Sequence, residues 1–263
     1  MSPKGNWGDL SERMISGLVM VGVGMACVWA GGLTFHILIA LVSGLMVWEL
    51  VRMIDSDRIR TPKVLGVAAA GAVLIAAELP PAYAMPLLLA PSMLGFGQMT
   101  RGGPTYAAFA AMILLAGYGM MGVRDDFGLI WMLWLVLVVV ATDVAGYFAG
   151  RMIGGPKFWP RVSPKKTWSG TVAGWIAAGG LGAIFAGLTG ADMSLVPLSI
   201  AISMASQLGD IAESAIKRRA GVKDSSTLIP GHGGLFDRFD GMLGAALFIL
   251  IVGPLVGFPS GIS

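Results

Sequence analysis

Cysteine is almost missing from this sequence. Cys27 is the only one in 263 residues, so no intramolecular disulfide and no cysteine-based zinc site can form, and its apolar surroundings mark it as helix filler. Charge is scarce as well. Charged residues make up 13% of the chain and hydrophobic residues 56%, with a mean hydropathy of +0.78, whereas a soluble domain carries about 25% charged residues. Water is therefore not the main solvent of this chain. Internal repeats, heptads and a low-complexity tail are also lacking. What is abundant is apolar runs of about 20 residues, long enough to cross roughly 30 Å of hydrocarbon. The 39 glycines suit such a setting, because they let helix backbones approach closely while each helix keeps its own backbone groups paired.

These features predict an all-α fold, a polytopic transmembrane helical bundle of about nine spanning helices with a cytoplasmic N-terminus. The expected spans lie near 14–30, 33–51, 64–79, 82–99, 105–122, 127–149, 168–188, 193–208 and 241–259. Pro80, Pro81, Pro86 and Pro91 interrupt the third and fourth, which predicts kinked or short helices there. The first run follows a charged segment with Lys4, Asp9, Glu12 and Arg13, as a secretory signal does. A second apolar run begins at once at Leu33, with no cleavage site and polar mature domain between them, so a hairpin of two spans is expected.

Basic residues set the orientation. With the N-terminus inside, the cytoplasmic segments hold Lys4, Arg13, Arg52, Arg58, Arg60, Lys63, Arg101, Arg151, Lys157, Arg161, Lys165, Lys166, Lys217, Arg218, Arg219, Lys223 and Arg238. That is 17 of the 18, and only Arg124 falls outside, beside Asp125 and Asp126. Orientation and anionic headgroups thus account for the pI near 9.2 without any nucleic acid partner. Two regions are expected: residues 1–140, five spans and most of a sixth, and residues 141–263, with cytoplasmic polar segments 150–168 and 209–240.

Chemistry is concentrated in the second region. Asp143 stands late in the sixth apolar run, where burying an ionisable group is costly and marks a functional candidate, and Tyr147 follows one helical turn on. The loop Ser163-Pro164-Lys165-Lys166-Thr167 offers two ammonium groups and two hydroxyls before a helix start at Trp168, where free backbone N–H groups and the helix dipole favour a phosphate. Further on, Asp210, Glu213, Ser214 and Lys217 fall on one helix face, a set of hard oxygen ligands beside a positive charge that suits a divalent cation and phosphate. Lys223-Asp224 then leads through a turn-rich run with three glycines around His232, which allow close approach to a ligand. Asp237 and Asp240 stand one turn apart at the start of the last helix, able to bind metal or to offset the dipole.

The residues Ser214-x-Ile216-Lys217-Arg218, Lys223-Asp224-x-Ser226 and Pro230-x-His232-Gly233-Gly234-Leu235-x-Asp237-Arg238-Phe239-Asp240 resemble the motif of the phosphatidate cytidylyltransferases, or CDP-diacylglycerol synthases. Asp143-x-x-x-Tyr147-x-x-Gly150-Arg151 and Ser163 to Trp168 resemble two further stretches of that family. The resemblance covers residues 142 to 245; before that the chain matches only in being hydrophobic. Ser169 stands where the family usually has Glu, and Ser226 and Gly241 replace the commoner Gly and Ser.

The resemblance implies transfer of a cytidylyl group from CTP to phosphatidic acid, giving CDP-diacylglycerol and pyrophosphate in the bacterial inner membrane, with the site facing the cytoplasm. Asp210 and Asp237 are the expected ligands of a Mg²⁺ ion, with Asp240, Glu213 and Asp143 next and room for a second cation. Ser214, Lys217, Arg218, Lys223, Lys165 and Lys166 are expected on the phosphates. Tyr147, Asp224, Gly233, Gly234 and Arg238 complete the candidate substrate contacts, and His232 takes a structural or phosphate-contacting role. Membrane lipid is the expected surrounding, and a homodimer is allowed. The competing readings are a cytidylyltransferase for another lipid or a prenyl phosphate, a CDP-alcohol phosphotransferase, whose Asp-Gly-x-x-Ala-Arg run is absent, and a secondary transporter, which needs ionisable groups in two related halves.

Overall fold

The computed structural model describes residues 7–56 and 60–259, with side chains described from Arg13 onward. Lys4 and Arg58 therefore lie outside the described residues, as do the side chains of Asp9 and Glu12. Nine α-helices follow one another among the described residues: α1 Trp7–Ala30, α2 Gly32–Ile54, α3 Thr61–Ala76, α4 Pro81–Gln98, α5 Gly103–Asp126, α6 Leu129–Met152, α7 Trp168–Thr189, α8 Leu195–Arg219 and α9 Phe236–Val252. A short 3₁₀ turn, Gly253–Val256, follows α9. Among the described residues seven helices are long and apolar enough to cross a membrane; α3, at 16 residues, and the proline-interrupted α4 are not among them. The protein is thus an all-α polytopic membrane protein.

The loop expected around Lys165-Lys166 is instead a two-stranded antiparallel hairpin, β1 Lys157–Trp159 and β2 Ser163–Thr167. Its turn closes through the Val162 N–H donating to the Trp159 carbonyl, and the Phe158 and Trp168 rings meet edge to face at 4.6 Å. Aromatic and branched side chains thus favour an extended pair over a span that proline and charge exclude from helix.

The chain divides into two compact units, Met1–Leu114 with Ala220–Phe239, and Leu115–Arg219 with Asp240–Ser263. In the first unit α2 and α3 touch backbone to backbone. A Cβ on Gly44 would lie 2.7 Å from the Gly66 carbonyl oxygen and one on Gly66 would lie 2.8 Å from that of Gly44, so small residues set this crossing. Asp55 ends α2 by accepting hydrogen bonds from the Thr100 N–H at 2.9 Å and its hydroxyl at 2.7 Å.

The second unit is held in the same way. A Cβ on Gly170 of α7 would lie 2.5 Å from the Gly146 carbonyl of α6, and one on Gly182 would lie 2.8 Å from the Leu195 carbonyl of α8. Buried polar groups pair across these helices: Trp134 Nε1 donates to Ser199 Oγ at 3.1 Å and Thr142 Oγ1 to Ser203 Oγ at 2.8 Å. In hydrocarbon such groups have no water to turn to, so each bond also fixes helix rotation.

Candidate functional site

A cavity of about 470 Å³ opens in the second unit where the C-terminal end of α6, the hairpin, the start of α7 and the middle of α8 come together. Helical spacing on α6 turns Asp143, Tyr147 and Arg151 toward it; β2 contributes Lys165 and Lys166, and α8 contributes Gln207 and Asp210. Glycine is required on the α6 and α7 walls, because a Cβ on Gly150 would lie 2.9 Å from Thr167 Oγ1.

Two of the charges lining the cavity are paired with each other. Lys166 Nζ lies 2.6 Å from Asp210 Oδ2, with the Gln207 carbonyl at 3.5 Å, and the opposite oxygen of Asp210 accepts from Ser214 Oγ at 3.3 Å. Both partners are about a quarter to a third exposed, at 24% and 30%, so the pair remains reachable by a ligand. Gln207 is fixed in turn: its side-chain oxygen accepts from Trp175 Nε1 at 3.0 Å and its nitrogen donates to the Thr171 carbonyl at 3.2 Å. Arg151 donates to the Tyr147 hydroxyl at 2.7 Å, which holds a guanidinium at the rim.

The start of α7 is capped by its own chain. Thr167 Oγ1 accepts from the Gly170 N–H at 3.2 Å, and the Trp168 N–H donates to the Pro156 carbonyl at 3.0 Å. Part of the phosphate cradle expected there is therefore filled from within. Ser169 likewise turns inward, donating to the Gly154 carbonyl at 2.5 Å.

Three carboxylates, Asp143, Asp210 and Asp240, are close enough to act on one another electrostatically, with Lys166 and Lys217 among them. Lys217 also holds the buried Glu213 across one helical turn at 2.5 Å. A fully buried carboxylate is costly without such a partner, so Glu213 and Lys217 serve each other first. Arg218 is exposed at the end of α8. Among the described residues no three His, Cys, Asp or Glu side chains converge tightly enough to hold a metal ion unaided.

The remaining candidates belong to the first unit and form a knitted loop. Asp237 Oδ2 accepts from the Ser225 N–H at 2.9 Å, the Ser225 hydroxyl at 3.0 Å and the Gly234 N–H at 2.8 Å. His232 Nδ1 lies 2.8 Å from Ser16 Oγ of α1, and the His232 carbonyl accepts from Arg238 Nε at 3.0 Å and Nη2 at 2.6 Å. Lys223 and Asp224 are exposed. Gly233, at a φ of 87°, needs glycine both for that backbone angle and because a Cβ would sit 2.9 Å from Asp237 Oδ2. At Gly234 a Cβ would sit 2.5 Å from Glu49 Oε1. At both positions glycine lets the backbone come close to the chain's own carboxylates.

Glu49, on α2, is the residue that sequence reasoning missed. The signal was available, since it is an ionisable group late in an apolar run, the same criterion that singled out Asp143.

Fold and site together define a polytopic membrane protein with a charged cavity of about 470 Å³ among α6, the hairpin, α7 and α8. A family model described as the cytidylyltransferase family matches residues 11–256, and the chain belongs to that family. It is 33% identical over 264 residues to the phosphatidate cytidylyltransferase of Brucella suis biovar 1 (strain 1330), covering 95% of this chain and 96% of that one. It is 30% identical to the phosphatidate cytidylyltransferase of Bacillus subtilis (strain 168) over 253 residues, 89% of this chain and 94% of the other. With the enzyme of that name from Helicobacter pylori (strain ATCC 700392 / 26695) it shares 41% identity over 133 residues, 49% of each chain.

Proposed function

We propose that this protein transfers the cytidylyl group of CTP to phosphatidic acid, giving CDP-diacylglycerol and pyrophosphate. The observation that carries this reading is the Lys166–Asp210 pair at 2.6 Å, set with Lys165, Arg151 and Asp143 around one cavity in a chain whose relatives over nearly its whole length are phosphatidate cytidylyltransferases.

In the reaction, an oxygen of the lipid phosphate attacks the α-phosphorus of CTP, the bond to the β-phosphate oxygen breaks, and pyrophosphate leaves with that oxygen. The nucleophile is already anionic, so the protein's work is to bring two polyanions together and to neutralise the leaving group. Lys166 and Lys165 take the phosphate oxygens, and entry of the triphosphate replaces Asp210 in part as the neighbour of the Lys166 ammonium. Arg151, held by Tyr147, supplies a further cation at the rim.

The donor set suits Mg²⁺, which takes one or two carboxylates and completes its shell with water and phosphate oxygens. Asp210, with Asp143 or Asp240 beside it, would hold the ion, since Asp237 Oδ2 is engaged by three donors and Glu213 by Lys217. The bound ion would supply charge neutralisation at the triphosphate. The distribution of lysine and arginine supports a cytoplasmic cavity, where CTP is at hand and the acyl chains stay in the leaflet, and the bacterial relatives support a bacterial plasma membrane.

Purified protein in detergent, given labelled CTP, Mg²⁺ and phosphatidic acid, is expected to form a CDP-lipid and pyrophosphate. Parallel reactions with prenyl phosphates test the other acceptor class: product there alone would replace phosphatidic acid as the substrate, and no product with either would remove the reading.

A further inference from the structure

We infer that Glu49 is a positioning residue for this reaction, a carboxylate of α2 that holds the start of α9 and the loop before it. Its side chain is completely buried. Oε1 accepts from the Ser226 hydroxyl at 2.5 Å and the Leu235 N–H at 3.0 Å, while Oε2 accepts from the Phe236 N–H at 2.8 Å and the Ser225 hydroxyl at 3.4 Å. The donors lie 176 to 187 residues away along the chain, so the contact ties the N-terminal helices to the segment that carries the family motif.

The first N–H groups of a helix have no partner within it and need one from outside. Leu235 and Phe236 supply such groups at the start of α9, and Glu49 meets both with a negative charge at the positive end of the helix. Ser225 also donates to Asp237 Oδ2, so the Glu49 and Asp237 carboxylates grip the loop together through one hydroxyl. α9 carries Asp237 in its first turn, and the position of Asp237 follows from how that turn is seated.

Each carboxylate oxygen of Glu49 meets one backbone N–H. A glutamine in its place, whichever way its amide turns, must point an NH₂ at a backbone donor, leaving one donor without an acceptor. Because the kinetic readout is the proposed cytidylyl transfer, the inference rests on that reading, and a second measurement is needed that does not.

Glu49→Gln, purified in detergent and shown monodisperse, is expected to lose about tenfold or more in kcat while KM for CTP changes by less than about twofold. A lower melting temperature with wild-type kcat per folded molecule would make Glu49 merely structural and overturn the inference. Independently, in the wild-type protein the Leu235 and Phe236 amides are expected to exchange with deuterium at least about 100-fold more slowly than free amides. Exchange at the free-amide rate would refute the clamp, whether or not the variant folds and whether or not a CDP-lipid is formed.

Discussion

Replacing Asp210 by Asn is expected to lower CDP-lipid formation by about 10³-fold while the protein stays folded. Asp210 is the centre of the cavity's charge: one oxygen touches the Lys166 ammonium at 2.6 Å, the other accepts from Ser214, and Asp143 and Asp240 lie within electrostatic reach. Asparagine keeps the shape and the hydrogen bond to Ser214 but removes the charge that fixes Lys166 and attracts a cation. The pair is partly open to solvent, so breaking it costs the fold little. The assay is CDP-lipid formation from labelled CTP in detergent, beside a size-exclusion profile. Full activity in Asp210→Asn would overturn both the metal assignment and the role given to the pair.

Gly209→Ala is expected to act on assembly instead, destabilising the protein by about 3 kcal/mol or more. A Cβ at this position of α8 would overlap the Asp240 carbonyl oxygen and lie 3.0 Å from the Gly244 nitrogen on α9, both of them backbone atoms that cannot swing aside. The reciprocal contact is as close, since a Cβ on Gly244 would overlap the Ala205 carbonyl. Forcing these backbones apart moves the helix face that carries Asp210. Gly180→Ala is the control, because a Cβ there meets nothing within 4 Å. The expected result is a markedly lower melting temperature in detergent for Gly209→Ala and no loss for Gly180→Ala. Equal melting of the two would mean that the crossing tolerates a methyl group.

Helix ends show where sequence reading stops. The eighth apolar run ends near residue 208, and the helix face expected at Asp210 to Lys217 continues it as one helix to Arg219, with Glu213–Lys217 and Asp210–Ser214 satisfying its polar turns internally. The ninth apolar run begins near residue 241, whereas α9 begins at Phe236, which puts Asp237 at its start as the sequence suggests, and Glu49 accepts from the first N–H groups. Hydropathy follows exposure to lipid, and a helical turn outside that range leaves no apolar signal.

By itself, the sequence determined that this chain lives in a bilayer and that it is helical, since composition carries those facts, and local spacing singled out residues 142–170 and 209–240 as candidates for its chemistry. Only the tertiary structure decided which charges meet. Lys166 faces Asp210 across 44 positions, and Glu49 faces Phe236 across 187. The same structure leaves no room for a Cβ at Gly233 beside Asp237 or at Gly234 beside Glu49. Burial of a charge is legible in a linear pattern, whereas its partner depends on how helices distant in the chain pack.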